Sequence, residues 1–558
     1  MAAMKTKMVS YFKENFLFDL KAGFITAVVA LPLAIAFAIA SGVPPIMGLY
    51  TAVIAGILGS GLGGSKFSIT GPTGAMTVII LSTVNRFGME GLLLAGFLAG
   101  LFQIGFGLIK LGKLVKFIPF PIISGFTAGI GAIIFIGQIP NALGLVIAPQ
   151  EHIWETLREI IFHFKDLNFI ASGITLSTIL LLLFLPKIFS RVRYLQAVPP
   201  SMLALTIFTM AVFFFSLSTP VVGEIPSGLP HFNLINLNWD LVHAVLPAAF
   251  TIALLGVIEA LLCAVVCDGM SNTKHKSDKE LISQGVSNAI LPFFSGIPCT
   301  AAVARSAVNI REGAKTRFAG IIHGLFLLLI LLFFGPIAYF IPKAFLAGIL
   351  IVVSSKMINI QEFRTIIKLS HYDTAVLFIT FGMTVLTDLV LAVQIGMVLA
   401  IFLIFIRLTN AFNISYMEEY PVQNGLNSVI YRNPKLKDIV SLYSIHGPFF
   451  FGAMNVFDHK LNEHIQISKP IIILRMKHVS FIDSTALTRL NSFLHERQKH
   501  NGIVFIADLQ PQVKETLLRD KEFMKLIRNT ALPGQPGIFE KTKDALKFVE
   551  DHFTTKKN

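Results

Sequence analysis

One acid, Glu259 in "LLGVIEALLCAVV", lies well inside an apolar run. An ionisable group in that setting is costly to bury and points to function by default. The chemistry open to it is reversible binding of a coupling cation, a proton or sodium. Arg305 lies five residues beyond Thr300, roughly 7.5 Å along a helix. It can add positive charge to a buried site, pair with Glu259 as a structural bridge, or extend its head to the membrane surface. Two breaks complete the set: Gly71-Pro72-Thr73-Gly74 within "SITGPTGAMTVII", and Gly296-Ile297-Pro298-Cys299-Thr300. A short apolar run follows each. A helix that starts there presents unpaired N–H groups and the positive end of its dipole, which attract an anion.

The elements that hold these residues are set by composition. Of 558 residues, 54% are hydrophobic and 14% charged, with mean hydropathy +0.71. Apolar blocks recur from about Lys21 to Arg407, many near the twenty residues a bilayer-crossing helix needs. They fall near 22–41, 46–63, 71–84, 91–111, 117–139, 169–186, 198–217, 243–266, 281–295, 300–310, 318–335, 337–355, 373–387 and 390–409. This predicts a polytopic α-helical membrane protein of fourteen spans. Basic clusters follow the even-numbered spans: Lys110, Lys113 and Lys116; Lys187, Arg191 and Arg193; Lys274, Lys276 and Lys279; Arg311, Lys315 and Arg317; Lys356, Arg364 and Lys368. The positive-inside rule then places both termini in the cytoplasm.

The third and tenth spans are short and open at the two Gly/Pro breaks, so the chain reads as two repeats of seven. An odd number of spans per repeat inverts the second relative to the first. Paired broken segments at matching places mark a transporter's binding site, since irregular backbone at membrane depth is tolerated only inside protein or along a polar cavity. The competing explanation is a pair of Pro-kinked structural helices. Gln103, Gln138 and Gln394 sit within spans, where interhelical hydrogen bonds account for them.

The net charge of +14 follows from these loop residues. With no basic stripe carrying interleaved aromatics, nucleic acid is not an expected partner. Cys263, Cys267 and Cys299 lack metal-type spacing and imply neither a metal site nor a disulfide framework. No cofactor and no enzymatic activity are expected, and no P-loop pattern offers ATP as a driving force. No cleavable leader is visible before the first apolar run.

Beyond Arg407 the runs "IVSLYSIHGPFFF", "PIIILRMK" and "GIVFIADL" read as strands. They alternate with amphipathic stretches near 453–467, 484–499 and 541–553, predicting a small α/β domain. The expected organisation is an amino-terminal cytoplasmic arm over 1–21, a transmembrane domain over 22–411 and a cytoplasmic domain over 436–554.

"ALPLAIAFAIASGVPPIMGLY", "SITGPTGAMTVII" and "GIPCTAAVARSAVNIREGAKTRFAG" resemble the SulP anion-transporter family, whose animal relatives include pendrin and prestin. The carboxyl-terminal domain resembles a STAS domain, and the likeness covers nearly the whole chain. It implies a core domain from spans one to four and eight to eleven, a gate domain from the rest, elevator-like movement and a homodimer. Within the resemblance, Phe37 matches the aromatic residue bordering the family's anion site. Thr70, Gly71, Thr73, Gly74 and Ala75 match the start of its third span, and Thr300, Ala301, Ala302, Ala304 and Arg305 that of its tenth. Glu259 matches an acid of bacterial members. Ala304 stands where animal members carry serine, which leaves backbone N–H groups as the donors there. In "FIDSTALTRL", Asp483, Ser484 and Thr485 match the phosphoacceptor loop of the soluble relatives; helix capping by Asp483 or Ser484 is the simpler account.

The resulting expectation is a secondary transporter of small inorganic anions, of the sulfate or bicarbonate type, coupled to protons or sodium in a plasma (inner) membrane. Rivals are a passive anion channel, an exchanger, a membrane-tethered STAS signalling protein and a nucleobase permease of the same fold.

Overall fold

The computed structural model describes residues 14–112, 119–148, 150, 152–189, 199–224, 228, 230, 232–235, 238–387, 389–416, 434–465, 469–531 and 537–554. The remainder of the expected arm, residues 1–13, and Lys113, Lys116, Arg191 and Arg193 lie outside them. Residues up to Ala400 form one compact unit and those from Ile401 a second.

In the first unit, α1 (Phe16–Ala40) and α2 (Pro45–Leu62) lead to a two-residue strand, β1 (Thr70–Gly71), and to α3 (Gly74–Leu108). At 35 residues, α3 is roughly 52 Å long, well beyond a hydrocarbon core of about 30 Å. It breaks at Gly88, whose φ of 70° and ψ of −171° suit glycine alone. Two helical segments result, as the separate third and fourth apolar blocks require. Next come α4 (Phe120–Gly137), α5 (Ile139–Leu143), α6 (Ile153–Phe162), α7 (Phe169–Phe189) and α8 (Pro200–Phe215).

The second half begins with α9 (Trp239–Ser271) and α10 (Ser277–Ile290), then β2 (Thr300–Ala301) and the nine-residue α11 (Val303–Arg311). It continues with α12 (Phe318–Phe334), α13 (Lys343–Met357), α14 (Ile360–Leu369), α15 (His371–Leu386) and α16 (Leu389–Ala411). Each of the fourteen apolar blocks overlaps one of these helical segments. Seven helical stretches among the described residues are long and apolar enough to cross a membrane by length and composition. Helices α1, α2, α3 and α9 to α12 pack mainly on one another, while α4, α7, α13 and α15 form a second group. The first group holds the helices of the core domain that the resemblance implies, and the second holds four of the six expected gate spans.

Two expectations need correction. The third and tenth spans start at Gly74 and Val303, because Thr70–Gly71 and Thr300–Ala301 pair as strands. The first helix starts at Phe16, inside the expected arm, because Asp19 has a buried use for its charge. Its carboxylate accepts hydrogen bonds from Lys315 N (2.7 Å), Thr316 N (3.0 Å) and the Thr316 hydroxyl. Two further acids, Asp19 and Glu280, lie just outside the expected apolar blocks and are fully buried.

In the second unit, β3 (Asn413–Tyr416) lies antiparallel to β4 (Val440–His446). Strands β5 (Ile471–His478), β6 (Ile503–Ala507) and β7 (Ile538–Phe539) follow in parallel, in the order β3-β4-β5-β6-β7. Parallel strands need both faces covered. Among the helices, α17 (Pro434–Ile439), α18 (Met454–Ile465), α19 (Ser484–Lys499), α20 (Pro511–Arg519), α21 (Lys521–Thr530) and α22 (Thr542–Val549) supply the cover. Ala486, Leu490, Val513, Leu517 and Phe523 close one face, and Leu436, Ala545 and Val549 the other. Strand β3 precedes the expected boundary at 436, and β7, α20 and α21 were not among the expected elements.

At the carboxyl ends of β4 and β5, the rings of His446 and His478 stack 5.1 Å apart. Burial, His478 and Arg475 hold the His446 imidazole below its usual range. The unfolded chain therefore binds the proton more readily, and stability is lost as pH falls from about 6.5 toward the folded value. Hydrogen-exchange protection of the full chain, corrected for the intrinsic pH dependence of exchange, is expected to fall at β4 and β5 below about pH 6.5. His446→Asn is expected to flatten that dependence, and an identical pH profile in the variant would refute it.

Candidate anion site

The two breaks meet. Thr70 pairs with Ala301 and Gly71 with Thr300, antiparallel, and Ala302 N extends the bridge to Ile69 O (2.9 Å). Pairing in this way satisfies backbone groups that neither helix can take. Elements at matching places of inverted repeats run in opposite directions, and the bridge shows that relation. Gly74 lies three residues after Gly71, and Val303 three after Thr300. The helices α3 and α11 thus start at equivalent distances on either side of the bridge.

Both N-caps, Thr73 and Ala302, are extended, and neither caps its helix with a side chain. First-turn N–H groups of both helices remain for a ligand. Val303 and Ala304 are exposed at the α11 end. At the α3 end, Ala75 is buried, and Phe37 from α1 lies so close that a Cβ on Gly74 would stand 3.3 Å from its ring. Ile134 of α4 and Met357 of α13 reach the same point. The start of α3 therefore faces both helical groups.

Arg305 is 1% exposed and does not reach the surface. Its Nη2 donates to Pro72 O, while Nη1 has no hydrogen-bond partner. A Cβ on Gly71 would lie 2.5 Å from Nη1, so only glycine admits the guanidinium here. Glu259 is half-buried and makes no ion pair with Arg305 among the described residues. Its Oε2 instead accepts from the Thr73 hydroxyl at 2.8 Å, one residue before α3 starts. Thr300 donates to Gly256 O (2.8 Å), three residues before Glu259 on α9.

Sequence reading missed the residues that fix this arrangement. Glu280 accepts from Gly64 N (2.7 Å), Ser65 N (2.9 Å) and Gln284 Nε2 (3.1 Å). Gln284 also donates to Thr70 Oγ1 (2.9 Å). Asn288 bonds both Cys299 backbone groups and donates to Gln103 Oε1, while Ser306 holds Ile69 N (2.9 Å). Gln103 thus has the interhelical role expected of it; the Gln394 side chain lies outside the described residues. The only signal in the sequence was the polar spacing of "KELISQGVSNAI" (279–290), where Glu280, Gln284, Ser287 and Asn288 recur at helical intervals.

In the second unit, Asp483 caps α19 through Ala486 N (2.8 Å) and accepts from Phe451 N (3.0 Å). Ser484 and Thr485 border a groove of about 430 Å³ with Met454, Thr488, Arg489 and Ser492.

A many-helix unit carrying two opposed, broken segments, followed by an α/β unit, has the build of a membrane transporter with a soluble domain. Comparison with known proteins agrees. The sulfate permease family model matches residues 16–380, and the STAS domain model residues 431–545. YvdB of Bacillus subtilis (strain 168) is 41% identical over 523 residues, 92% of this chain and 96% of its own. The transmembrane domain of a cyanobacterium bicarbonate transporter, BicA, is 33% identical with a TM-score of 0.61, covering 70% of this chain and 98% of that one. Murine Slc26a9, described as an anion transporter in the inward-facing state, shares the fold with a TM-score of 0.86 at 18% identity, over 97% and 93% of the two chains. The chain belongs to the sulfate permease family, a family of multi-pass membrane transporters rather than enzymes, and carries a carboxyl-terminal STAS domain.

Proposed function

We propose that the protein is a cation-coupled secondary transporter of a small inorganic anion, of the sulfate or bicarbonate type. The observation that carries this reading is the β1–β2 bridge, which presents two uncapped helix starts with Arg305 behind and Glu259 bound to Thr73. The anion sits against the N–H groups of Gly74, Ala75 and Ala304 and their neighbours, with Phe37 at its edge. Thr70, Gly71, Thr300, Ala301 and Ala302 shape the backbone, Thr73 links it to Glu259, and Arg305 supplies positive field.

Energetics favour coupling for uptake. Moving one negative charge inward against ~100 mV costs about 2.3 kcal/mol, which a co-transported proton or sodium ion offsets at Glu259. The family likeness supports elevator-like alternating access, a homodimer, and a plasma-membrane setting with both termini and the STAS domain in the cytoplasm. Its domains are then a transmembrane domain ending near 411 and a STAS domain over about 436–554. Asp483 is assigned to capping, and Ser484 and Thr485 to the groove beside it. Uptake of labelled sulfate and bicarbonate by the purified protein in liposomes, under imposed proton or sodium gradients, tests the reading.

A further inference from the structure

Helix α14 is an amphipathic element of ten residues, roughly 15 Å long and too short to span a bilayer. Two residues separate it from α13 and one from α15, so it lies at the ends of two spans. Asn359 starts it, accepting from Gln361 N (3.1 Å) and Glu362 N (3.3 Å). Ile366 is its one fully buried residue.

The other side chains sort around the helix at 100° per residue. Next to the buried side stands Phe363, packed edge-to-face on Phe378 and Phe381 of α15. Ile360 and Ile367 follow, 62% and 44% exposed. Arg364 and Lys368 come next, one turn apart and exposed, with no ion pair among the described residues. Polar Gln361 and Thr365 follow, and exposed Leu369 and partly buried Glu362 close the turn back to Ile366. Apolar, basic and polar arcs in that order match the passage from acyl chain to headgroup to water.

We propose that α14 is an anionic-phospholipid site, with the headgroup phosphate held by Arg364 and Lys368 and the acyl chain along Ile360 and Ile367. Charge complementarity selects the occupant. Two unpaired cations beside an exposed apolar strip fit a lipid that carries both a negative phosphate and a chain, whereas a soluble anion leaves the strip uncovered. The site is wired to the α4 group: Glu362 accepts from Ser124 Oγ of α4 at 3.1 Å. Lipid occupancy therefore bears on the helices opposite the anion site.

The test compares the full-length wild type with the double variant R364Q/K368Q. Each is mixed with equal phosphatidylglycerol and phosphatidylcholine, and bound lipid is read by native mass spectrometry. Wild type should retain phosphatidylglycerol over phosphatidylcholine, and the double variant should lose that preference by roughly tenfold. Thermal stability should rise with phosphatidylglycerol in wild type only. Equal retention by both proteins overturns the proposal, as does competition by inorganic phosphate that abolishes the stability shift. A change in dimer mass in the double variant, with lipid retention unchanged, assigns the face to protein contact and also overturns it.

Discussion

Arg305→Ala is expected to weaken anion binding by roughly 10- to 100-fold, as loss of a charged hydrogen-bonding partner does in a buried site. The guanidinium spends one nitrogen on Pro72 O and keeps the other free beside Gly71. Removing it takes away the one buried Lys or Arg near the two helix starts among the described residues. It also leaves the Pro72 carbonyl unpaired, at a cost of about 1–3 kcal/mol in stability. Gly71→Ala separates these effects, because the added methyl would stand 2.5 Å from Nη1 and must push the guanidinium aside without deleting it. Titration of the purified variants with sulfate or bicarbonate should show both weakened. A folded Arg305→Ala protein with unchanged affinity would reduce the arginine to a tie across the Pro72 break.

Glu259→Gln is expected to keep anion binding and lose gradient-driven acceleration of uptake. The glutamine side chain retains an oxygen for the Thr73 hydroxyl, so the start of α3 stays tethered. What it cannot do is exchange a proton or hold a cation by charge. Two negative charges close together in a poorly solvated cavity repel, so cation and anion binding support one another, and that reciprocity is all coupling needs. With proton coupling, the variant loses its response to an inward pH gradient. With sodium coupling, wild type ignores the pH gradient and the variant loses sodium dependence. Full gradient-driven accumulation by Glu259→Gln would make the residue structural.

Much of this was legible because it depends on local sequence. Fourteen apolar blocks set the helices, and the Gly/Pro breaks located both interrupted segments. The Gly88 break separated the third block from the fourth, since "NRFGMEG" interrupts the apolar pattern with charge and glycine together. The pairing of Thr70–Gly71 with Thr300–Ala301 was not legible, because two-residue strands have no periodicity and the paired residues are 231 and 229 positions apart in the chain. Asp19 and Glu280 were missed for a related reason. Each lies at the start of a helix, where an acid looks like an ordinary solvent-facing dipole partner. Their buried use comes from distant backbone, at Lys315–Thr316 and Gly64–Ser65. In the STAS domain the long inner strands were evident from continuous apolar runs. The edge strands β3 and β7 are short and half-covered, so they carried little signal.

Uptake of the labelled anion by purified protein, in liposomes held at zero membrane potential, tests the central claim most directly. A tenfold inward proton gradient supplies about 1.4 kcal/mol per proton. With one proton per anion, that sustains about tenfold accumulation above the outside concentration. The account predicts saturable accumulation above equilibrium, driven by a proton or a sodium gradient and absent without either. Unsaturable flux that only equilibrates the anion, whatever gradient is imposed, would contradict it.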